Sequence, residues 1–117
     1  MSIRIDDVVG LHSRAIELRM QRSEILAANL ANEDTPGFLA RDIDFAGEMQ
    51  RLDPQQAFAA SSADLKYRVP TQPSQDGNSV ELSVEQAAFS KNSMDFQTSL
   101  TFLSMKFRGL KQAIEGR

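Results

Sequence analysis

Ten residues end one pattern and begin another. From Asn29 to Phe38 the chain reads Asn-Leu-Ala-Asn-Glu-Asp-Thr-Pro-Gly-Phe. A long amphipathic pattern precedes it and an extended stretch follows. Thr35 stands before a proline, whose ring disfavours helical φ/ψ at the preceding residue. Pro36 and Gly37 suit the two central positions of a type II turn, with Gly37 supplying the positive φ. Asn32 and Asp34 carry short polar side chains that can bond local backbone and take over the carbonyls a helix end leaves open. A plain loop does not need so many coordinated turn residues. The stretch fixes the direction in which the chain leaves a helix, which suits a protein whose work is geometric.

The helix before it is expected from about Asp6 to about Asn32. Val8, Leu11, Ala15, Leu18, Ile25 and Asn29 follow alternating steps of three and four, interrupted at Arg22, as in a heptad seam. Val9, Ile16, Leu26 and Leu30 widen the stripe, and Asp6 and Asp7 stand where carboxylates favour the positive end of the helix dipole. Such a helix would be roughly 40 Å long. A second is expected from about Ser83 to about Glu115. Ser83 to Gln86 has the form of a capping box. Phe96, Leu100, Leu103, Phe107, Leu110 and Ile114 then alternate steps of four and three, and Phe89 extends the seam one heptad back. Lys106, Arg108 and Lys111 collect towards the end, where the dipole favours cations, and Gly116 closes a helix of roughly 50 Å.

Between the helices lie about fifty residues with no helical period long enough for another such element. Asp42 to Leu52 is expected to hold a short helix on Phe45, Met49 and Leu52. Ala57 to Ala63 is small and polar and is expected to be mobile. Leu65 to Val69 alternates like a strand and stops at Pro70. Asp76-Gly77-Asn78 marks a turn, and Val80 to Leu82 is expected to pair briefly with the strand around Tyr67. The expected fold class is mainly α: two long terminal helices with coiled-coil-like packing, and a loosely structured middle containing short β and a short helix. The expected division is 1–33 and 83–117 as helical core and 34–82 as an extended middle. So long a connection counts against a compact domain. Two helices bury one seam against each other, and the phenylalanines of the last helix offer more apolar surface than that, so the remainder is expected to need partner chains.

Formal net charge is −3 with a pI near 5.1, and no basic run or stripe occurs, which argues against a nucleic-acid partner. The chain has no cysteine, which removes thiolate metal sites, disulfides and thiol nucleophiles together. Charges from Arg4 to Glu17 leave no apolar h-region for a Sec-type leader. His12, the one histidine, has no second ligand of its kind and reads as a partly exposed helix residue. Asp34-Thr35-Pro36-Gly37 differs from an aspartic-protease triplet by its inserted proline. Asp42 and Asp44 lack calcium-loop spacing and read as a solvated start to the short helix. Met94 and Met105 read as gap-fillers, and Arg108 and Lys111 as a wet helix end. No catalytic residue, metal, cofactor or small-molecule substrate is expected.

Asn29, Leu30, Ala31, Asn32, Asp34, Thr35, Pro36, Gly37 and Phe38 together resemble the N-terminal signature of the bacterial flagellar rod and hook family, which carries it at the end of a long first helix. Tyr67-Arg68-Val69-Pro70, Gln72-Pro73-Ser74, Asp76-Gly77-Asn78, Val80 and Glu85 resemble the short proximal rod members of that family, as does the ending through Leu100, Leu103, Phe107, Gly109, Leu110 and Ile114. The likeness covers nearly the whole chain and is weakest over Gln50 to Ala63. Phe38 stands where tyrosine is also common. The resemblance implies a structural subunit of the rod, the driveshaft between the motor's membrane ring and the hook. It implies export through the flagellar type III apparatus without a cleaved leader, and assembly in the periplasmic part of the basal body. The implied partners are copies of itself, the other proximal rod proteins, the adaptor at the rod base and the membrane ring with its export apparatus. On this reading Asn29 to Phe38 is an assembly motif. Val8, Leu11, Leu18, Ile25, Phe89, Phe96, Leu100, Leu103, Phe107, Leu110 and Ile114 form an assembly seam. The competing reading is a soluble helical adaptor or export chaperone that holds a partner helix in a groove, which would gain little from the turn.

Overall fold

The computed structural model describes residues 5–50 and 64–116, with side chains from residue 9 onward. The Val8 side chain, those of Asp6 and Asp7, Leu52 and the Ala57–Ala63 tract lie outside them. In order, the elements are α1 (Ile5–Ala31), β1 (Arg41–Ile43), α2 (Phe45–Gln50), β2 (Leu65–Tyr67) and α3 (Leu82–Glu115). The fold is mainly α, as expected. Two long helices carry the molecule, and a strand pair and a short helix occupy the middle.

The two long helices run antiparallel, with Asn29 meeting Glu85 at one end and Arg19 meeting Asp95 further along. The molecule measures 64 × 25 × 18 Å with a radius of gyration of 17.9 Å, against about 13 Å for a compact chain of this length. It is a rod-shaped hairpin with one thick end. That thickening is the middle segment folded against α1. Leu18 of α1 and Ile43 of β1 are buried together, and Ile25, Phe45 and Met49 pack around them.

Three local expectations are corrected. β2 pairs antiparallel with β1, Arg41 opposite Tyr67 and Ile43 opposite Leu65, and not with Val80 to Leu82. Ile43 has a core to enter, whereas Leu82 already belongs to α3. The capping box does not form. Glu81 takes the N-cap position in an extended conformation without a side-chain cap, and its carboxylate accepts the backbone N–H and hydroxyl of Thr71 instead. Ser83 therefore lies inside the first turn. The short helix starts at Phe45, because Asp42 and Ile43 belong to the strand. Asp44 introduces it by accepting the Gly47 N–H at 3.2 Å. At the other end Gly116 closes α3 as expected, with φ of 72° and its N–H on the Gln112 carbonyl.

Candidate assembly site: a clasped helix exit and a bare helix face

The turn forms as the sequence dictates. The Phe38 N–H donates to the Thr35 carbonyl at 3.2 Å, and Gly37 between them has φ of 76°. Asn32 donates its side-chain amide back to the Ala28 carbonyl at 2.7 Å and accepts the Thr35 hydroxyl at 3.0 Å. Asp34, expected to share in capping, is exposed. The open carbonyls go to Asn78, whose buried Nδ2 lies 2.9, 2.8 and 2.7 Å from the carbonyl oxygens of Asn32, Glu33 and Thr35. Backbone bonds stitch the same two segments together: Gly37 N–H to the Asp76 carbonyl and Ser79 N–H to the Phe38 carbonyl, each 2.9 Å. The helix exit is thus held by a second turn some forty residues downstream. The sequence marks Asn78 as a turn residue only, and its capping role is invisible without the fold.

Asn29 has a larger role than a seam position gives it. Its amide pairs with both backbone groups of Arg41: Nδ2 donates to the carbonyl at 2.6 Å, and Oδ1 accepts the N–H at 3.1 Å. One side chain so occupies an edge of β1 as a neighbouring strand would. Nδ2 also donates to Oε2 of Glu85 at 2.9 Å. Glu85 is 0% exposed, and its Oε1 accepts Nε of Arg68 at 2.5 Å. Arg68 reaches on to Asp42 at 2.8 Å, and Asp42 accepts two bonds from Arg22 at 2.9 and 3.1 Å. The residue that interrupts the α1 seam is therefore the one that anchors β1. Burial alone would raise the Asp42 carboxyl. Hydrogen bonds from Arg22 and the Ile43 N–H, with the charges of Arg22 and Arg68, outweigh it and hold the carboxyl below its ordinary value. Burial likewise opposes the Arg68 charge, and Glu85 and Asp42 more than restore it. The expectation of a solvated Asp42 is thereby corrected. Asn92 adds a further tie, donating to the Arg19 carbonyl at 2.9 Å and the Ser23 hydroxyl at 2.8 Å.

Away from this clasp the seam residues part company. Leu18 is fully buried and Ile25 half-buried, but Leu11 is 53% exposed, and Val9 and Leu26 are the buried residues beside them. On α3, Phe89, Phe96, Leu103 and Leu110 are half-buried, while Leu100, Phe107 and Ile114 are exposed, Ile114 at 77%. Met94 and Met105 fill no gap in the chain; both are more than half exposed, as is Phe102, which the seam pattern missed. One α1 helix cannot cover a 34-residue helix that is apolar on more than one face. His12 is half-buried. Among the described residues no cluster of carboxylates and histidine is placed to hold a metal, and no helix is long and apolar enough to cross a membrane.

Fold and site together define a mainly helical protein: two long helices, clasped by polar side chains at one end and exposing large apolar side chains at the other. No family model matches the chain. It is 40% identical to the flagellar basal body rod protein FlgB of Salmonella typhimurium, with 97% of this chain and 96% of that protein aligned. It is 38% identical to FlgB of Escherichia coli over 96% of both, and 40% identical to FlgB of Cereibacter sphaeroides over 94% of this chain and 95% of that one. The chain belongs to the FlgB family of flagellar basal body rod proteins, which places it in the flagellar basal body. Its relatives are flagellar basal body rod proteins, and the family read from the sequence is theirs.

Proposed function

We propose that the chain is a non-enzymatic subunit of the proximal rod, polymerising through its terminal helices into the driveshaft between the membrane ring and the distal rod and hook. Residues 1–33 and 83–117 supply the wall of the tube, and 34–82 form the outer segment whose angle the Asn29–Phe38 turn sets. Its neighbours are copies of itself, the other proximal rod proteins, and the adaptor and membrane ring at the rod base, reached by flagellar type III export into the periplasm. The observation that carries this reading is the exposed apolar surface on more than one side of the later half of α3. Phe102 and Met105 on one side, and Phe107 and Ile114 on another, each expose about half of their surface or more, and that much apolar surface is favoured only when another chain covers it. Interdigitated seam residues also resist sliding under torque better than a flat polar contact does.

Detergent-extracted hook–basal bodies, assayed for this chain by mass spectrometry, test the reading. The chain is expected to co-purify with them and to vanish when the rod is removed genetically. Recovery only from the soluble cytoplasm would overturn it and favour the adaptor reading.

A further inference from the structure

Four residues on α3 surround a hole. Phe102, Met105, Lys106 and Gly109 stand at i, i+3, i+4 and i+7, the four positions that receive a knob in coiled-coil packing, and with Leu110 they line an open apolar hollow. Gly109 makes its floor. Within a helix glycine is less favourable than alanine, and here neither conformation nor crowding calls for it. Gly109 has no positive φ, and no described atom lies within 4 Å of the place a Cβ would take. Gly109 is exposed, so the opening faces outward. One turn before Phe102 and Met105 respectively, Thr98 and Thr101 return their hydroxyls to the carbonyls of Met94 and Gln97, each at 3.0 Å. With their hydroxyls satisfied internally, they lengthen the apolar strip from Met94 to Gly109. Lys106 on the rim, with exposed Arg108 and Lys111 beyond it, makes this end of the helix basic.

α1 carries the complement. Met20, Glu24, Ala27 and Ala31 are all exposed and recur at steps of four, three and four along one line of the helix. The line offers a flexible apolar knob, an acid one turn further on, and two alanines that let another helix come close. We propose that α1 of a second copy lies across α3, with its Met20 seated in the hole and its Glu24 against Lys106. This rests on the rod reading above and names the surfaces that reading needs. Knob and hole belong to different helices of one chain, so every copy presents both. Made head-to-tail, such a contact repeats from copy to copy, as a rod requires.

The absence of cysteine makes the geometry directly testable. Met20→Cys and Met105→Cys chains are co-expressed, each on its own copy, and treated with a short bismaleimide before basal bodies are purified. A linked pair of copies is expected in basal bodies and not in unassembled chain from the cytoplasm. Basal bodies that contain both variants without that link, or with position 105 linked to a different protein, would overturn the proposal while leaving the rod reading intact. Absence of even the unaltered chain from basal bodies would overturn the rod reading and this contact with it. Glu24→Lys is expected to abolish swimming and Lys106→Glu, combined with it, to restore it. A double variant that still fails to swim would overturn the Glu24–Lys106 pairing.

Discussion

The two ends of α3 differ in a way that inverts the usual rule of apolar inside and polar outside. Its first turns bury a carboxylate completely, Glu85, and a little further on an amide, Asn92. Its last turns expose Phe102, Met105, Phe107 and Ile114. The polar end is met largely within the chain: Glu85 by Asn29 and Arg68, and the amide nitrogen of Asn92 by Arg19 and Ser23, with the buried Oδ1 of Asn92 left without a hydrogen bond among the described residues. The apolar end, on the reading proposed above, is half a packing surface. Polar partners must be positioned to within a few tenths of an ångström to repay desolvation, so they belong where one chain controls all the geometry. Apolar contact tolerates small shifts and suits a surface completed only on assembly.

If that division holds, damage at each end should be felt at a different stage. The largest effect is expected from Leu103→Asp, at the middle of the bare half. It places an unpaired charge in the seam, costing about 3 kcal/mol or more at each copy's contact. Basal bodies lacking a rod are expected, with the soluble chain keeping its helix content by circular dichroism. Normal flagella in this strain would show that the seam is no interface. Glu85→Ala strikes the other end. It leaves Arg68 with Asp42 alone and one amide hydrogen of Asn29 without its acceptor, and about 3 kcal/mol of monomer stability should be lost. Hydrogen exchange is the suitable readout, because protection should fall in β1 and β2 as well as at the start of α3. Loss confined to α3 would show that the clasp does not hold the middle segment.

This division explains what the sequence could disclose. The helices were legible because their apolar residues repeat, and the turn was legible because proline and glycine act on their own backbone. The clasp was not, since its members are polar residues whose partners lie far along the chain, 56 residues away for Asn29 and Glu85. Periodicity treats such residues as solvent-facing. Two signs were present: Asn29 occupies a seam position, and Arg22 interrupts the seam. Each is a polar residue on an apolar line, and each proved to be an anchor. The capping-box reading at Ser83 failed for the opposite reason. A local motif was overruled by tertiary contacts that start α3 at Leu82 and send Glu81 to Thr71. Leu11 could not be placed by the heptad alone, because α1 has one neighbour along most of its length and a stripe wider than that neighbour covers.

Gly37→Val tests whether the clasp sets direction as well as stability. At φ of 76° a β-branched residue is strained by about 2 kcal/mol, although among the described residues nothing beyond its chain neighbours stands within 4 Å of its Cβ position. The expected defect is therefore conformational: expression and export near normal, rod assembly and swimming lost. Gly37→Asn, which tolerates the left-handed region better, should recover much of it. Equal swimming by the valine and glycine strains would remove the turn from the assembly mechanism.

The smallest effect, and the most specific to the polar end, is in acid. The Asp42 carboxyl is held below its ordinary value of 3.8 because the bonds and charges of Arg22 and Arg68 outweigh the cost of burial. A carboxylate of lowered folded-state pKa stabilises the fold fully above its unfolded value, and the contribution fades as pH falls through the folded one. Between neutrality and weak acid, wild type should thus exceed Asp42→Asn by a constant margin in urea or thermal melts. Below the ordinary carboxylate range that margin should shrink, since protonation gives the wild type the uncharged side chain the variant already has. Arginine keeps its charge throughout this range, so the cationic partners of Asp42 are unchanged while its carboxyl is protonated. A margin that stayed constant to the lowest pH would mean that the ion pairs seen at the clasp add nothing to its hold on β1, and that the amide of Asn29 bears that load instead.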